Sequence, residues 1–334
     1  MDGLVLDGCP TLTREQHEAV AAAIAGADPF DEHVWSKDRQ PAIISWDEGF
    51  ERVIESRRGV LHDYTRKGIC PYPWAIFEAI PKPRKLSSIL YWNQGNRPSC
   101  SMHAAVHATE AATLTEMLLG APLIYDALNP IYPFYLAKGG SLNGGLTIYD
   151  TAEQINKGGL VSVSEVGSDN ISAPSDAWDY AEESAKRQTA VVYIDRDYTD
   201  RIFRAAAAGF YVVFGSYLIY TGSKTDSNGV KVGGRTTRGG HAQSFGSWHK
   251  KGNTEYVFLT NSHGEIYTGG TEGDPETGCW VTRGQVDDIA ESFAQFGPPF
   301  VVLPESPTQT APRLIIDFDP KFPKGWNTGR AGQC

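Results

Sequence analysis

The chain has 334 residues, of which 41% are hydrophobic, with a formal net charge of -10 and an isoelectric point near 5.3. This length and apolar share build one large globular domain or two modest ones, and no run of about 18 apolar residues exists to span a bilayer. The acidic balance, relieved by no basic cluster, argues against nucleic acid as the main partner.

In chain order, Met1 to Gly8 is acidic and too poor in apolar residues for a secretory signal. Thr13 and Gln16 form a capping box that opens a helix continued by Ala19 to Ala25, and Ser45 to Glu55 has the spacing of a second amphipathic helix. A loop punctuated by Gly95 and Pro98 then runs into a long Ala-rich helix, Cys100 to Leu119, with Ser99 at the N-cap position. Thr151 to Lys157 is a shorter helix that ends at Gly158-Gly159. From Thr189 the pattern changes. Ala190 to Ile194 and Gly209 to Tyr220 are strand-like, with a short helix, Asp200 to Ala208, between them. Gly233 to Gly240 lacks the spacing and terminal Lys of a phosphate loop and reads as a flexible loop delivering His241. His241 to His249 and Glu255 to Asn261 flank a Gly252-Asn253 turn as an antiparallel hairpin. Gly278 to Val281 and Phe300 to Leu303 complete the strands, and residues 306–334, with one strand-like piece at Leu314 to Asp317, read as an extended tail. A helical first half thus meets a β-rich second half at a cleft, an α+β fold.

Chemistry concentrates at four residues. Cys100 falls on the first turn of its helix, where unpaired amides and the positive dipole end favour thiolate over thiol and so mark a nucleophile. Gln94, six residues earlier, offers a neutral amide donor of the oxyanion-hole type. With a turn centred near Lys251, His241 lies opposite Asn261, so an imidazole faces a carboxamide that can fix its tautomer. Taken singly, Cys100 reads first as a half-buried structural thiol and His241 as a loop or packing residue, and it is their combination with Asn261 that outweighs those readings. His103 and His107 stand at i and i+4, but with no Glu after the first and no third ligand they read as packing rather than metal residues. Cys9, Cys70, Cys100, Cys279 and Cys334 are odd in number and follow no metal or disulfide spacing, so no metal or other cofactor is expected.

Gln94, Cys100, His241-Ala242 and Asn261-Ser262, in this order and context, resemble the papain-like cysteine peptidases; Leu142-Asn143-Gly144-Gly145 resembles that family's Cys-Asn-Gly-Gly segment. The resemblance covers roughly residues 80 to 305 and implies a two-lobe catalytic domain over 81–305, preceded by a helical extension, 1–80, and followed by the tail, 306–334. It implies a cysteine endopeptidase with Cys100 as nucleophile, His241 as base, Asn261 as orienting group and Gln94 in the oxyanion hole. Gly144 and Gly145 would bind substrate backbone, and Ala242 and Thr147 would line the main specificity pocket. The partner is then a polypeptide substrate, with no nucleic acid and no membrane. The extension has no counterpart in the family's catalytic domain and is read as packing on that domain or as a pro-segment or docking element, and the extension and the tail are the candidate arms for a protein assembly. Secreted members carry a disulfide whose halves fall here at Arg97 and Leu142, which points to a reducing compartment, the cytoplasm or a particle assembled there. Where the family has Trp after the Cys and after Asn-Ser, this chain has Ser101 and His263, so the bond between Asn and His loses its shield and gains a second titrating ring. The alternative, from another class, is a catalytically weak or inactive structural component of an assembly such as a virus particle.

Overall fold

The computed structural model describes residues 9–27, 43–66, 93–119, 125, 127–167, 172–181, 187, 189–263 and 277–303. The expected boundaries near residues 80 and 305, the tail and its strand-like piece lie outside the described residues.

Among them are nine strands: β1 (Ile43–Ile44), β2 (Leu128–Asn129), β3 (Val161–Ser162), β4 (Ala190–Tyr193), β5 (Tyr211–Thr225), β6 (Lys231–Lys251), β7 (Thr254–Thr260), β8 (Gly278–Thr282) and β9 (Phe300–Leu303). β2 pairs with β3, and the other seven form one sheet in the order β1-β4-β9-β5-β6-β7-β8. Its pairings are antiparallel except β1 with β4 and a contact between Val232 and Trp280 that brings β8 back against the start of β6. Helices α1 (Arg14–Ala25), α2 (Glu48–Arg66), α3 (Cys100–Leu118), α4 (Ile131–Ala137), α5 (Ile148–Glu153), α6 (Val163–Val166), α7 (Tyr198–Ala207), α8 (Arg283–Ala290) and α9 (Phe293–Phe296) surround it.

Both faces of the central strands are covered, which is why they read as unbroken apolar runs. Side chains alternate across the pleat: Val192, Val212, Phe214, Val301 and Leu303 enter one core with Phe50, Ile54 and Phe203, while Val191, Tyr193, Val213, Phe300 and Val302 enter a second with α3. The capping box at Thr13 and Gln16 forms as the sequence predicts. The second helix runs eleven residues beyond the expected Glu55, to Arg66. A tertiary bond sustains it: buried Arg57 pairs with buried Glu116 of α3, donates from Nε to Ala208 O at 2.9 Å, and lies 4.1 Å over the Phe210 ring.

Two expectations are corrected. Gly233 to Gly240 is not a loop; it belongs to β6 and pairs with β5 from Lys224–Val232 to Ser216–His241. The glycines mark close approach rather than flexibility, because a Cβ at Gly233 would lie 2.4 Å from Cys279 Sγ and one at Gly240 would lie 2.5 Å from Cys9 O. His241 is also not directly opposite Asn261. The turn centres between Gly252 and Asn253, pairing Lys251 with Thr254, and a bulge at Ser247, held at φ 51°, shifts the register so that Ser244 pairs with Thr260. Continuing that register sets Gln243 opposite Asn261 and His241 diagonally across on the same face.

Candidate active site

Cys100 is the first residue of α3 and has no exposed surface. Backbone N–H groups of Ala242, Ser101 and Cys100 itself act on its sulfur and favour the thiolate, but burial dominates and pushes the thiol up to about 12. The amides act on the sulfur as the sequence suggests, but the expected thiolate is corrected, because the loss of water outweighs them and keeps the thiol protonated. The sulfur therefore lies against the residue that follows His241 in β6.

His241 accepts its orientation from Asn261, with Nε2 and Oδ1 2.8 Å apart. Because the amide oxygen accepts, Nε2 carries the hydrogen and Nδ1 is left as the acceptor. Nδ1 is buried and has no hydrogen-bond partner. Burial lowers the ring to about 4, against the raising effect of Asn261. Asn261 Oδ1 also accepts from Ser262 N–H at 2.7 Å, so the carboxamide is fixed from two sides.

Gln94 is fully buried and tied to the same turn of chain. Its N–H donates to Ser262 O at 2.7 Å, its Oε1 accepts from Ser262 Oγ, and its Nε2 donates to Arg97 O at 2.6 Å. One amide hydrogen is thereby committed and a second remains. Ser262, which sequence reasoning passed over, is the residue that couples Gln94 to Asn261.

His263 forms a β-bridge with Asn93, and its ring stacks on His241 with centroids 5.0 Å apart and planes 17° from parallel. The bond between His241 and Asn261 is thus buried even without the Trp of the related motif, since His241 is 1% and Asn261 7% exposed. Burial first, then the neighbouring His241 and His103, holds His263 down at about 3. His103 sits inside α3 with Nδ1 3.0 Å from Ser99 O, lowered to about 4 by burial, with a smaller contribution from His241. His107 faces Thr260, Nδ1 to Oγ1 3.4 Å. Among the described residues no three ligating side chains converge as a metal site.

The four predicted substrate-binding residues divide. Ala242 is buried in one cluster with Cys100, and Leu146 and Ile148, on either side of Thr147, belong to it too. Thr147 caps α5 through Asp150, Oγ1 to Oδ2 2.7 Å. Gly144 is exposed at φ 69°, and the carbonyl of Gly145 accepts from Lys138 Nζ at 3.3 Å.

A further element reaches this site with no signal in the sequence beyond the capped helix next to it. Cys9 N–H donates to Gly240 O at 3.1 Å and Leu12 N–H to Gln295 O at 3.0 Å. On the other side Gln16 Nε2 donates to Asp150 Oδ1 at 3.1 Å and approaches Thr147 Oγ1 at 3.4 Å. Cys9 and Leu12 share the buried cluster of Cys100 and Ala242.

No family model and no curated protein matches the chain. Among solved structures it is similar to xylellain, a cysteine protease from Xylella fastidiosa, with 14% identity over 67% of this chain and 84% of that one and a TM-score of 0.44. It is also similar to digestive procathepsin L 3 of Tenebrio molitor larval midgut, with 12% identity, 66% and 71% coverage and a TM-score of 0.43. A third is procathepsin B S9 from Trypanosoma congolense, with 11% identity, 63% and 70% coverage and a TM-score of 0.41.

Proposed function

We propose that the protein is a cysteine endopeptidase that hydrolyses peptide bonds by covalent catalysis. The observation that carries this reading is His241: one ring nitrogen is bound to Asn261 and the other is unpartnered, while the next residue's amide acts on the Cys100 sulfur. Proton transfer from Cys100 to His241 Nδ1 gives thiolate and imidazolium. The sulfur attacks the scissile carbonyl, the imidazolium protonates the leaving amine, and water attacks the acyl-enzyme with the neutral ring as base. The second amide hydrogen of Gln94 and the Cys100 N–H receive the oxyanion, donors of a type contributing about 2.7 to 4 kcal/mol each. Gly144 and Gly145 meet the substrate backbone, and Ala242 and Thr147 favour a small or apolar side chain in the adjoining pocket.

The test is labelling with a thiol-directed epoxide or peptide aldehyde, mapped by mass spectrometry, alongside hydrolysis of a casein substrate. Label on Cys100 and loss of hydrolysis with it supports the reading, and hydrolysis that survives full modification of Cys100 overturns it. The sealed sulfur favours a second reading, a catalytically silent binding component on the same fold. In that case no label reaches Cys100 under conditions that leave the protein folded.

A further inference from the structure

Gln243 carries polarity into an apolar face. On β6 it shares the side of the strand that holds His241 and Phe245, opposite Phe214 of β5, and both phenylalanines belong to the core beneath the sheet. The residue is 1% exposed, and neither Nε2 nor Oε1 has a hydrogen-bond partner. A buried amide with both atoms unpaired has lost its hydration for nothing in return, and a methionine would fill the same space without that penalty. Its place relative to the site is specific. The register that pairs Ser244 with Thr260 sets Gln243 directly across from Asn261, with Cβ atoms about 5 Å apart. It also stands two residues, or about 7 Å, from His241 along the strand.

We infer that Gln243 is a positioning residue that engages Asn261 when His241 takes the proton of Cys100. This rests on the peptidase reading and adds a second amide behind the imidazole. The proton passes from Sγ to Nδ1, which needs no further reactant and leaves a positive ring where water is excluded, His241 being 1% exposed. The ring's Nε2–H is bonded to Asn261 Oδ1. When Gln243 Oε1 accepts a hydrogen from Asn261 Nδ2, the Asn261 carbonyl is polarised and accepts more strongly from the charged ring. Other groups around the ring do not offer this support. Ser216, opposite His241 on β5, is committed to Leu218 O at 2.8 Å, and Cys9 reaches only the backbone of Gly240. The titratable groups that face the ring are Cys100 and His103 of α3 and His263 beyond β7. Burial holds His103 at about 4 and His263 at about 3, so both are uncharged at neutral pH. Apart from the thiolate itself none of these is an anion, which leaves amide dipoles to meet the charge of the ring.

The experiment uses the full chain and iodoacetamide, with the rate of Cys100 alkylation followed by peptide mapping from about pH 5 to about pH 10 and unfolding in urea measured alongside. Gln243→Met keeps the length of the side chain and removes both polar atoms. The expected result is a plateau of alkylation near neutral pH that is lower by about 10-fold, the factor carried by one pKa unit. The alkaline rise should stay in place, because there the thiol ionises without the ring. The urea midpoint should hold or rise, since an unpaired buried amide has been removed. Gln243→Glu keeps an acceptor oxygen and should bring the plateau to within about 3-fold of wild type. An unchanged plateau in Gln243→Met, an equal loss in Gln243→Glu, or a loss that is the same at every pH overturns the proposal; the last is what packing alone would give. Should Gln243→Met lower the urea midpoint, the amide has a partner in the resting protein and the premise falls. His241→Ala separates the two levels. If Cys100 takes no label in the folded wild type, or its pH profile ignores His241→Ala, the peptidase reading fails and this proposal with it. If the profile responds to His241→Ala and not to Gln243→Met, the role of Gln243 alone fails.

Discussion

The two halves of the site are prepared to different degrees. The imidazole half is finished: His241 is bonded to Asn261 at 2.8 Å, Asn261 is held by Ser262, and Ser262 is bonded to Gln94. The sulfur half has its amide donors but not its charge, because Cys100 is fully buried and its thiol stands at about 12. Orientation is supplied by strand register and survives desolvation, whereas ionisation needs water, so the two can be encoded and perturbed separately.

The sharpest way to break the comparison is Cys100→Ala, which removes one half alone. Casein hydrolysis should fall by at least about 1,000-fold, while the unfolding free energy read from urea titration changes by less than about 1 kcal/mol. Arg57→Ala acts behind the sulfur half, removing a buried guanidinium from Glu116 of α3, the Ala208 carbonyl and the Phe210 ring at once; unfolding in urea should show a loss of about 3 to 5 kcal/mol. Asn261→Ala spoils the finished half by freeing the ring, and kcat/KM should drop by about 100-fold. Alkylation of Cys100 should persist in that variant, because Asn261 carries no charge.

Acid attacks both halves together. His103, His107 and His241 are buried at about 4 against an ordinary value of 6.5, so on acidification the unfolded chain takes up protons that the folded one refuses. Stability is therefore fully present above pH 6.5 and falls as pH drops from 6.5 towards 4. The slope is about 1.4 kcal/mol per pH unit for each such ring, and His103→Asn should flatten it in urea titrations across that range. The smallest effect belongs to Thr13→Ala, which uncaps α1 and should cost about 1 kcal/mol in the same assay.

Much of this was legible in the sequence because it depends on local rules. The capping box at Thr13, the start of α3 at Cys100 and the apolar runs of β4, β5 and β9 follow from spacing alone, whereas the register that set His241 opposite Asn261 was two residues off and the two side chains meet diagonally. What escaped it depends on partners far along the chain. Gly233 to Gly240 has turn-like composition, but its glycines answer to Cys279 and Cys9. Whether Cys100 ionises depends on burial, which its helix position does not disclose. Ser262 was visible only as a neighbour of Asn261, and His263 as a second titrating ring in place of a Trp; the bond of Ser262 to Gln94 and the stacking of His263 on His241, which keeps the bond to Asn261 buried, arise from strand and loop meeting.

The bulge at Ser247 sets a rule of parity for this hairpin. Side chains along a strand alternate between faces, so one residue deleted or added between His241 and the bulge would turn Asn261 away from the imidazole, whereas a change of two would keep them on one face. Lengthening the loop at Gly252-Asn253 leaves the pairing of Ser244 with Thr260 untouched. Among descendants of this gene, insertions should therefore accumulate at the hairpin tip, while a change of length nearer His241 should be selected against, since an odd step turns the imidazole to the other face and an even step slides it about 7 Å along the strand from Asn261.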